Sequence, residues 1–290
     1  MFQIDQVDEY FNVLSTDKSE HTIRSYHNAV RKLFDFLDIK TFDNIMAIKS
    51  DDIRKHQVNM KSKGISHPSI NTNIRPLRAM FNWFVENEYL NKSPFDKVKD
   101  LRTEKKVVEF LSEFEQEQIV HACRKNIIDL LIFSILISTG IRRDELCQLN
   151  TEDYDGEHIL IHGKGNKERK LILQDPIVNL LDKYLDLRLK KYGKQFQPLI
   201  LSKAGRFTGG AIYDRIKSIL VKAGLPEDRV DEIHPHSLRH SFVANMLEAG
   251  NDIYVTSRSL GHQNIETTMK YAHLHGSTMD KAIKNQRSIL

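Results

Sequence analysis

The stretch from Ile127 to Thr139 is apolar almost without interruption, carries one charge at Asp129, and runs into Gly140. It is too short to cross a bilayer, which takes about 20 apolar residues. It reads instead as a helix buried in the core of a globular body. Such a helix needs enough chain to cover it. The protein has 290 residues, sufficient for two domains that each bury a core. A composition of 40% hydrophobic and 28% charged residues suits an ordinary soluble protein.

The first hundred residues read as helices. From Thr22 to Leu37 the apolar positions are Ile23, Tyr26, Val30, Leu33, Phe34 and Leu37, spaced by three and four so that they form one stripe. Arg24, Arg31 and Lys32 lie on the other face. A second strong helix follows Ser66-His67-Pro68-Ser69, a start signal with a capping hydroxyl and an early proline. Its inner face carries Ile70, Ile74, Leu77, Met80, Phe81 and Phe84, with Arg75 and Arg78 outside. Lys61, Lys63, Arg75 and Arg78 recur beside polar residues, which suits a solvated face and suits phosphate contacts as well. A net charge of +4 and a pI of about 8.8 lean mildly toward a polyanionic partner.

Residues 91–108 look like a linker: Pro94 ends the preceding helix, and the chain beyond it is charged and poor in large apolar residues. Ser112 and Glu115 then match a capping box that opens a new helix. The expected division is a helical domain over 1–102, a linker over 103–110 and a second domain over 111–290. In the second domain, helices are expected over 112–124 and 127–138. Cys123 and Cys147 sit in apolar helical segments, which favours reduced, buried thiols and a cytoplasmic location. The acidic N-terminus lacks the layout of a signal peptide.

After Gly140 come Arg142 and Glu145, three apart at a helix start. They are either a surface ion pair or a phosphate-binding arginine oriented by its own carboxylate. Residues 158–173 form two β-rich runs joined by Gly163-Lys164-Gly165-Asn166, a hairpin signal. Lys164 at its tip is either simply solvated or carried into a neighbouring groove. Helices over 176–192 and 209–223 flank a possible third strand at Leu199–Leu201. Then His236, Arg239 and His240 stand at i, i+3 and i+4 on a helix whose end is marked by Gly250. His262 and Tyr271 follow, Tyr271 on a last helix for which Asn264 is a plausible N-cap. Arginine, histidine and tyrosine together suggest chemistry on a phosphate. His236 and His240 have zincin-like spacing, but Leu238 and Arg239 fill the interior where the general-base glutamate belongs, so no metal site is expected. A serine hydrolase is not expected either, because no G-x-S-x-G elbow exists.

Taken in order, Thr139-Gly140-Ile141-Arg142 with Glu145, Gly163-Lys164-Gly165-Asn166-Lys167, His236-x-Leu238-Arg239-His240, Leu260-Gly261-His262, and Thr267-Thr268-x-x-Tyr271-x-His273 resemble the boxes of the tyrosine site-specific recombinases, the phage integrase family. Ser19, Thr22 and Tyr26, and Asn91-x-Ser93-Pro94, resemble that family's N-terminal core-binding domain. The resemblance covers about residues 10–275. It implies a mainly α fold with a small antiparallel β-sheet in the catalytic domain, and a SAM-like helical core-binding domain completing a C-shaped clamp on DNA.

The resemblance also implies roles. Tyr271 would attack the scissile phosphate to give a 3′-phosphotyrosyl enzyme, with Arg142 and Arg239 clamping the non-bridging oxygens. Lys164 would be the general acid for the departing 5′-oxygen, with Lys167 its nearest rival. His236 would assist proton transfer at Tyr271, and His262 would donate to a phosphoryl oxygen. Glu145 and His240 would support the site, while His234 and His273 belong to packing or support. Read from their basic faces rather than from the resemblance, Arg24, Arg31, Lys61, Lys63, Arg75, Arg78 and Lys167 are the candidates for DNA contact.

No metal, ATP or other cofactor is implied. The partner would be double-stranded DNA carrying specific sites, bound by a homotetramer or a heterotetramer with a related recombinase, through a Holliday junction. With no arm-binding domain before residue 10, the chain resembles the Xer-like or transposon and plasmid resolvase type. Tail 277–290, with Met279, Ala282 and Ile283 at helical spacing, would dock into a neighbouring subunit or fray. Arg143, Asp144 and the Phe242–Asn245 segment depart from the family pattern without touching the catalytic set. A type IB topoisomerase and a catalytically silent DNA-binding protein are the alternatives.

Overall fold

The computed structural model describes residues 2–103, 108–163, 167–193, 196–260 and 271. The chain divides into two compact units, Met1–Lys106 and Val107–Leu290.

The first unit is helical: α1 (Asp5–Asp17), α2 (Glu20–Leu37), α3 (Phe42–Met46), α4 (Ser50–Ser62) and α5 (His67–Glu86). The stripe expected on α2 is the face it buries, through Val30, Leu33 and Phe34 against Ile70, Ile74, Leu77 and Phe81 of α5. Each such side chain, taken fully out of water, contributes about 1.5–3 kcal/mol. Ser19 caps α2 by accepting from the Thr22 N–H. The Ser66 hydroxyl precedes α5 as expected but bonds the Ser69 hydroxyl rather than a backbone N–H.

Two readings of the region after α5 need correction. The helix ends at Glu86, well before Pro94, because Glu88 adopts φ +62° and turns the chain. The stretch 91–102 is also no loose linker. Phe95 and Val98 are buried in the first core, and Asn71 clasps Leu101 through both its amide groups, to the carbonyl at 2.9 Å and from the N–H at 2.8 Å. A charged composition hid two anchor residues.

The second unit contains α6 (Glu113–Cys123), α7 (Ile127–Thr139), α8 (Arg143–Gln148), a 3₁₀ turn at Thr151–Asp153, β1 (His158–His162), β2 (Glu168–Ile172), α9 (Asp175–Tyr192), β3 (Leu201–Ser202), β4 (Gly205–Arg206), α10 (Gly209–Lys222), α11 (Glu227–Glu232), α12 (Pro235–Glu248) and α13 (Ile253–Ser259). The apolar helix α7 is the centre, packed by α6, α9, α10 and α12. Asn126 caps it by accepting from the Ile128 and Asp129 N–H groups. Its one charge, Asp129, is 2% exposed and answered by Arg215 and Lys222 of α10. Gly140 ends it in the left-handed region at φ +62°.

The hairpin forms in the expected place, with β1 antiparallel to β2 and His162 opposite Glu168. Ile159 and Ile161 point into the core, and the Gly163 N–H closes the turn onto the Lys167 carbonyl at 2.7 Å. The possible strand at Leu199–Leu201 does not extend this hairpin. Leu199 bonds back to Leu149, and Leu201–Ser202 pairs with Gly205–Arg206 in a separate two-stranded ribbon. Both cysteines are buried free thiols. Among the described residues no helix is long and apolar enough to cross a membrane.

Candidate active site

Three elements meet around one cleft of about 460 Å³, lined by Ile141, Arg142, Arg143, Asp144, Tyr213, His234, Pro235, His236 and Arg239. Arg142 is the residue immediately before α8, so its N–H has no partner within the helix. Glu145 supplies one: its carboxylate accepts the Arg142 N–H at 2.7 Å and the same residue's Nη1 at 3.0 Å. The Arg142 side chain remains 49% exposed at the cleft, while that of Glu145 is 9% exposed. Arg169 of β2 forks onto the other side of this carboxylate, at 3.2 and 2.8 Å. Burial alone pushes the Glu145 carboxyl up. The Arg169 bonds, the Arg142 N–H and both guanidinium charges outweigh it and hold the group below the usual carboxylate range.

Arg239 arrives from α12 and is 3% exposed. Its guanidinium donates to the carbonyl of Gly140 and, at 2.9 Å, to that of Leu260. Burial first, and then the neighbouring charge of Arg142, lower its pKa to about 10, so it remains a cation at neutral pH. Two arginines from distant parts of the chain thus face one cleft, one buried and braced, the other held by a carboxylate.

The histidines of α12 continue from the cleft toward the tyrosine. The His234 and His236 rings lie parallel with centroids 6.4 Å apart, and His236 meets His240 edge-on at 4.5 Å. The Tyr271 hydroxyl is hydrogen-bonded to His240 Nδ1, and its ring packs with Phe242, Val243, Leu247 and Leu260 at 3% exposure. Proton transfer at Tyr271 was expected of His236; the hydrogen-bonded partner of that hydroxyl is His240, one turn further along α12.

Gly140 holds this arrangement closed. A Cβ there would come within 2.5 Å of the Phe242 ring and 2.7 Å of Leu260. The glycine is therefore needed for its positive φ and for the close approach of α12 and α13.

Lys164, His262, His273, Asn264 and the tail 277–290 lie outside the described residues. Of the expected DNA-contacting residues, Arg24, Arg31, Lys61, Lys63, Arg75 and Lys167 are exposed. Arg78 is occupied by Asp100 and the Val98 carbonyl, both at 2.9 Å, which ties the segment after α5 to that helix. A groove of about 290 Å³ between α2 and α5 is lined by His21, Arg24, Ser25, Asn28, Lys32, Thr72 and Asn73. Among the described residues no group of three or more His, Cys, Asp or Glu side chains could hold a metal ion.

Arg169 was missed by sequence reasoning. A signal for it existed: β2 alternates, so Arg169 shares the inward phase with Leu171, opposite the buried Ile161. A charge at an inward strand position calls for a partner.

Residues 109–277 match the model described as the phage integrase family. The chain belongs to that family. Residues 7–88 match the phage integrase N-terminal SAM-like domain, which accounts for the first helical unit. This family member is 28% identical over 285 residues to tyrosine recombinase XerC of Staphylococcus saprophyticus, covering 95% of each chain. It is 27% identical over 276 residues to tyrosine recombinase XerC of Escherichia coli O157:H7, covering 92% of this chain and 91% of the relative. Its fold is similar to a lambda integrase dimer bound to a core site, with a TM-score of 0.74 at 15% identity over 94% of this chain and 95% of that one. XerH recombinase in a post-cleavage complex with its difH substrate superposes with a TM-score of 0.72 at 21% identity, over 91% of this chain and 79% of that one. The mainly helical architecture with small antiparallel sheets is that of the integrase and Xer fold, and within the family the chain is similar to tyrosine recombinases of Xer type.

Proposed function

We propose that this recombinase cleaves and rejoins DNA at specific sites through a tyrosine–phosphate bond, with Tyr271 as the nucleophile. The observation that carries the reading is convergence: Arg142, His236 and Arg239 line one cleft, and the Tyr271 hydroxyl is joined to the same helix through His240. In the step proposed, the Tyr271 oxygen bonds to phosphorus as the bond to the 5′-oxygen breaks, leaving a 3′-phosphotyrosyl enzyme. The phenolic proton passes to the histidines of α12, and Lys164 protonates the departing oxygen. Attack by a 5′-hydroxyl reverses the step. A phenol has a pKa of about 10, so it attacks poorly at neutral pH without a base and nearby positive charge. The guanidiniums of Arg142 and Arg239 would supply that positive charge beside the non-bridging oxygens, where the pentavalent phosphorane develops negative charge, and His262 would donate alongside them.

Glu145 and His240 support this set, one by holding Arg142 and the other by holding the tyrosine. The basic side chains of the first unit, Arg24, Arg31, Lys61, Lys63 and Arg75, would meet phosphates of the duplex, as would Lys167 of the second unit. Lambda integrase has been solved as a tetramer bound to a Holliday junction. The same assembly is proposed here, with four subunits, alike or paired with a related recombinase, exchanging strands in two steps in the cytoplasm.

The test is a set of nicked suicide duplexes carrying candidate sites. The wild-type protein should trap a covalent adduct on its own site and Tyr271→Phe should trap none; an adduct from the phenylalanine variant would move the nucleophile elsewhere. Arg142→Ala should slow cleavage far more than it weakens binding.

A further inference from the structure

Arg169 has no part in the chemistry above, yet its guanidinium is committed to the site. It reaches Glu145 with two parallel N–H bonds, a geometry that fixes the plane of a carboxylate as well as its position. The other acceptor positions of Glu145 are taken by the N–H and Nη1 of Arg142. One buried carboxylate is therefore gripped from two elements, the start of α8 and the second strand of the hairpin. A solvent-exposed ion pair would not need this arrangement, and a lysine could not reproduce it.

We propose that Arg169 is a positioning residue for DNA cleavage: it aims Arg142 at the scissile phosphate through Glu145, and so ties β2 to the start of α8 through one carboxylate. The inference rests on the phosphoryl-transfer reading of the cleft. Arg169 acts through Glu145 and touches no reacting atom.

Among the described residues the charged groups around Glu145 are Arg142 from the start of α8, Arg169 from β2 and Arg239 from α12. Removing Arg169 leaves burial as the leading influence, and the carboxyl then takes a proton at a higher pH than before. A protonated Glu145 has lost its charge and turned one oxygen into a donor, so its hold on Arg142 weakens. This gives a signature that simple loss of stability lacks.

The experiment measures single-turnover cleavage and DNA affinity for wild type, Arg169→Gln and Arg169→Lys on a nicked duplex as the pH is lowered from about 8 to about 6, the direction in which a carboxyl that has lost a cationic partner gains its proton. Arg169→Gln should bind DNA as wild type does and cleave about 100-fold more slowly, the loss expected when a catalytic group is misplaced by about 1 Å. The ratio of variant to wild-type rate should fall further as the pH drops. Arg169→Lys keeps the charge, so its ratio should be independent of pH, with the rate only partly restored. Equal losses of binding and cleavage in Arg169→Gln, or a ratio that does not change with pH, would overturn the proposal. Should Arg169→Gln not fold, a wild-type rate in Arg169→Lys overturns it, and slow cleavage with unchanged affinity supports it. No adduct from the wild type would overturn the cleavage reading itself. Equal adduct rates from wild type and Arg169→Gln would overturn only the role of Arg169.

Discussion

The Arg239 guanidinium is held by two backbone carbonyls, those of Gly140 and Leu260, so removing it affects chemistry and fold together. Arg239→Ala should cut the cleavage rate by about 100- to 1,000-fold, the usual loss for one oxyanion donor. It should also cost about 1–3 kcal/mol for each carbonyl left buried without a donor. Single-turnover adduct formation and a urea melt on the same preparation separate the two effects. The residue types of the site were legible in the sequence as boxes, because their order along the chain is distinctive. Their pairing was not. Spacing put His236, Arg239 and His240 on one helix, but which imidazole meets Tyr271 depends on how the chain returns after α13. Arg169 belongs to a strand whose partner carboxylate lies on a helix start far upstream, a pairing that no local pattern encodes.

At the scale of elements, the hairpin is anchored just before its loop by His162, which bonds Asp153 through Nε2 at 2.9 Å and Glu168 through Nδ1 at 3.0 Å. Asp153, and then Glu168, raise the imidazole's pKa. The protonated ring donates to both carboxylates, whereas a neutral ring has one N–H and can donate to only one. The raised value fixes the sign: this anchoring is complete below the unfolded histidine value of about 6.5 and is lost as the pH rises through the higher folded value. Hydrogen-exchange protection of the 158–172 amides, corrected for intrinsic rates, should therefore be greater at pH 6 than at pH 8. In His162→Gln that difference should vanish.

The second element-scale anchor is Arg188 of α9, which donates to the Pro198 and Leu199 carbonyls and to Thr151. Arg188→Ala should lower stability by about 2–6 kcal/mol, since two buried carbonyls lose their donor, with the change seen as a lower urea midpoint at constant slope. The helices themselves were legible because 3.6-residue periodicity, caps and breakers act locally. Segment 91–102 was not, because two buried side chains and one asparagine clasp outweigh a composition that reads as linker.

For the molecule as a whole, the family match and the two compact units account for the helical first half and the mixed second half. Exposed basic residues on the first unit should act through phosphate neutralisation. Substituting Lys61, Lys63 and Arg75 together by Gln should weaken DNA binding about equally on cognate and unrelated duplexes. The slope of log affinity against log salt should flatten by about 0.9 for each phosphate no longer neutralised. Arg78→Gln should instead mainly lower the stability of the first unit, because Asp100 and the Val98 carbonyl already occupy that side chain. Binding isotherms across a salt series, read beside thermal melts, distinguish the two classes.

Gly140 bears on how this enzyme can mutate and recover. Its backbone ends the central helix α7, its missing side chain makes room for Phe242 and Leu260, and its carbonyl receives Arg239. Gly140→Ala would therefore be registered twice, as lost folding and as a displaced guanidinium. A second-site change that only raises stability elsewhere would bring back soluble protein but leave recombination impaired. Suppressors that restore strand exchange should map to smaller side chains at Phe242 or Leu260. A selection for revertants, scored separately for abundance and for recombination, would sort them into those two groups.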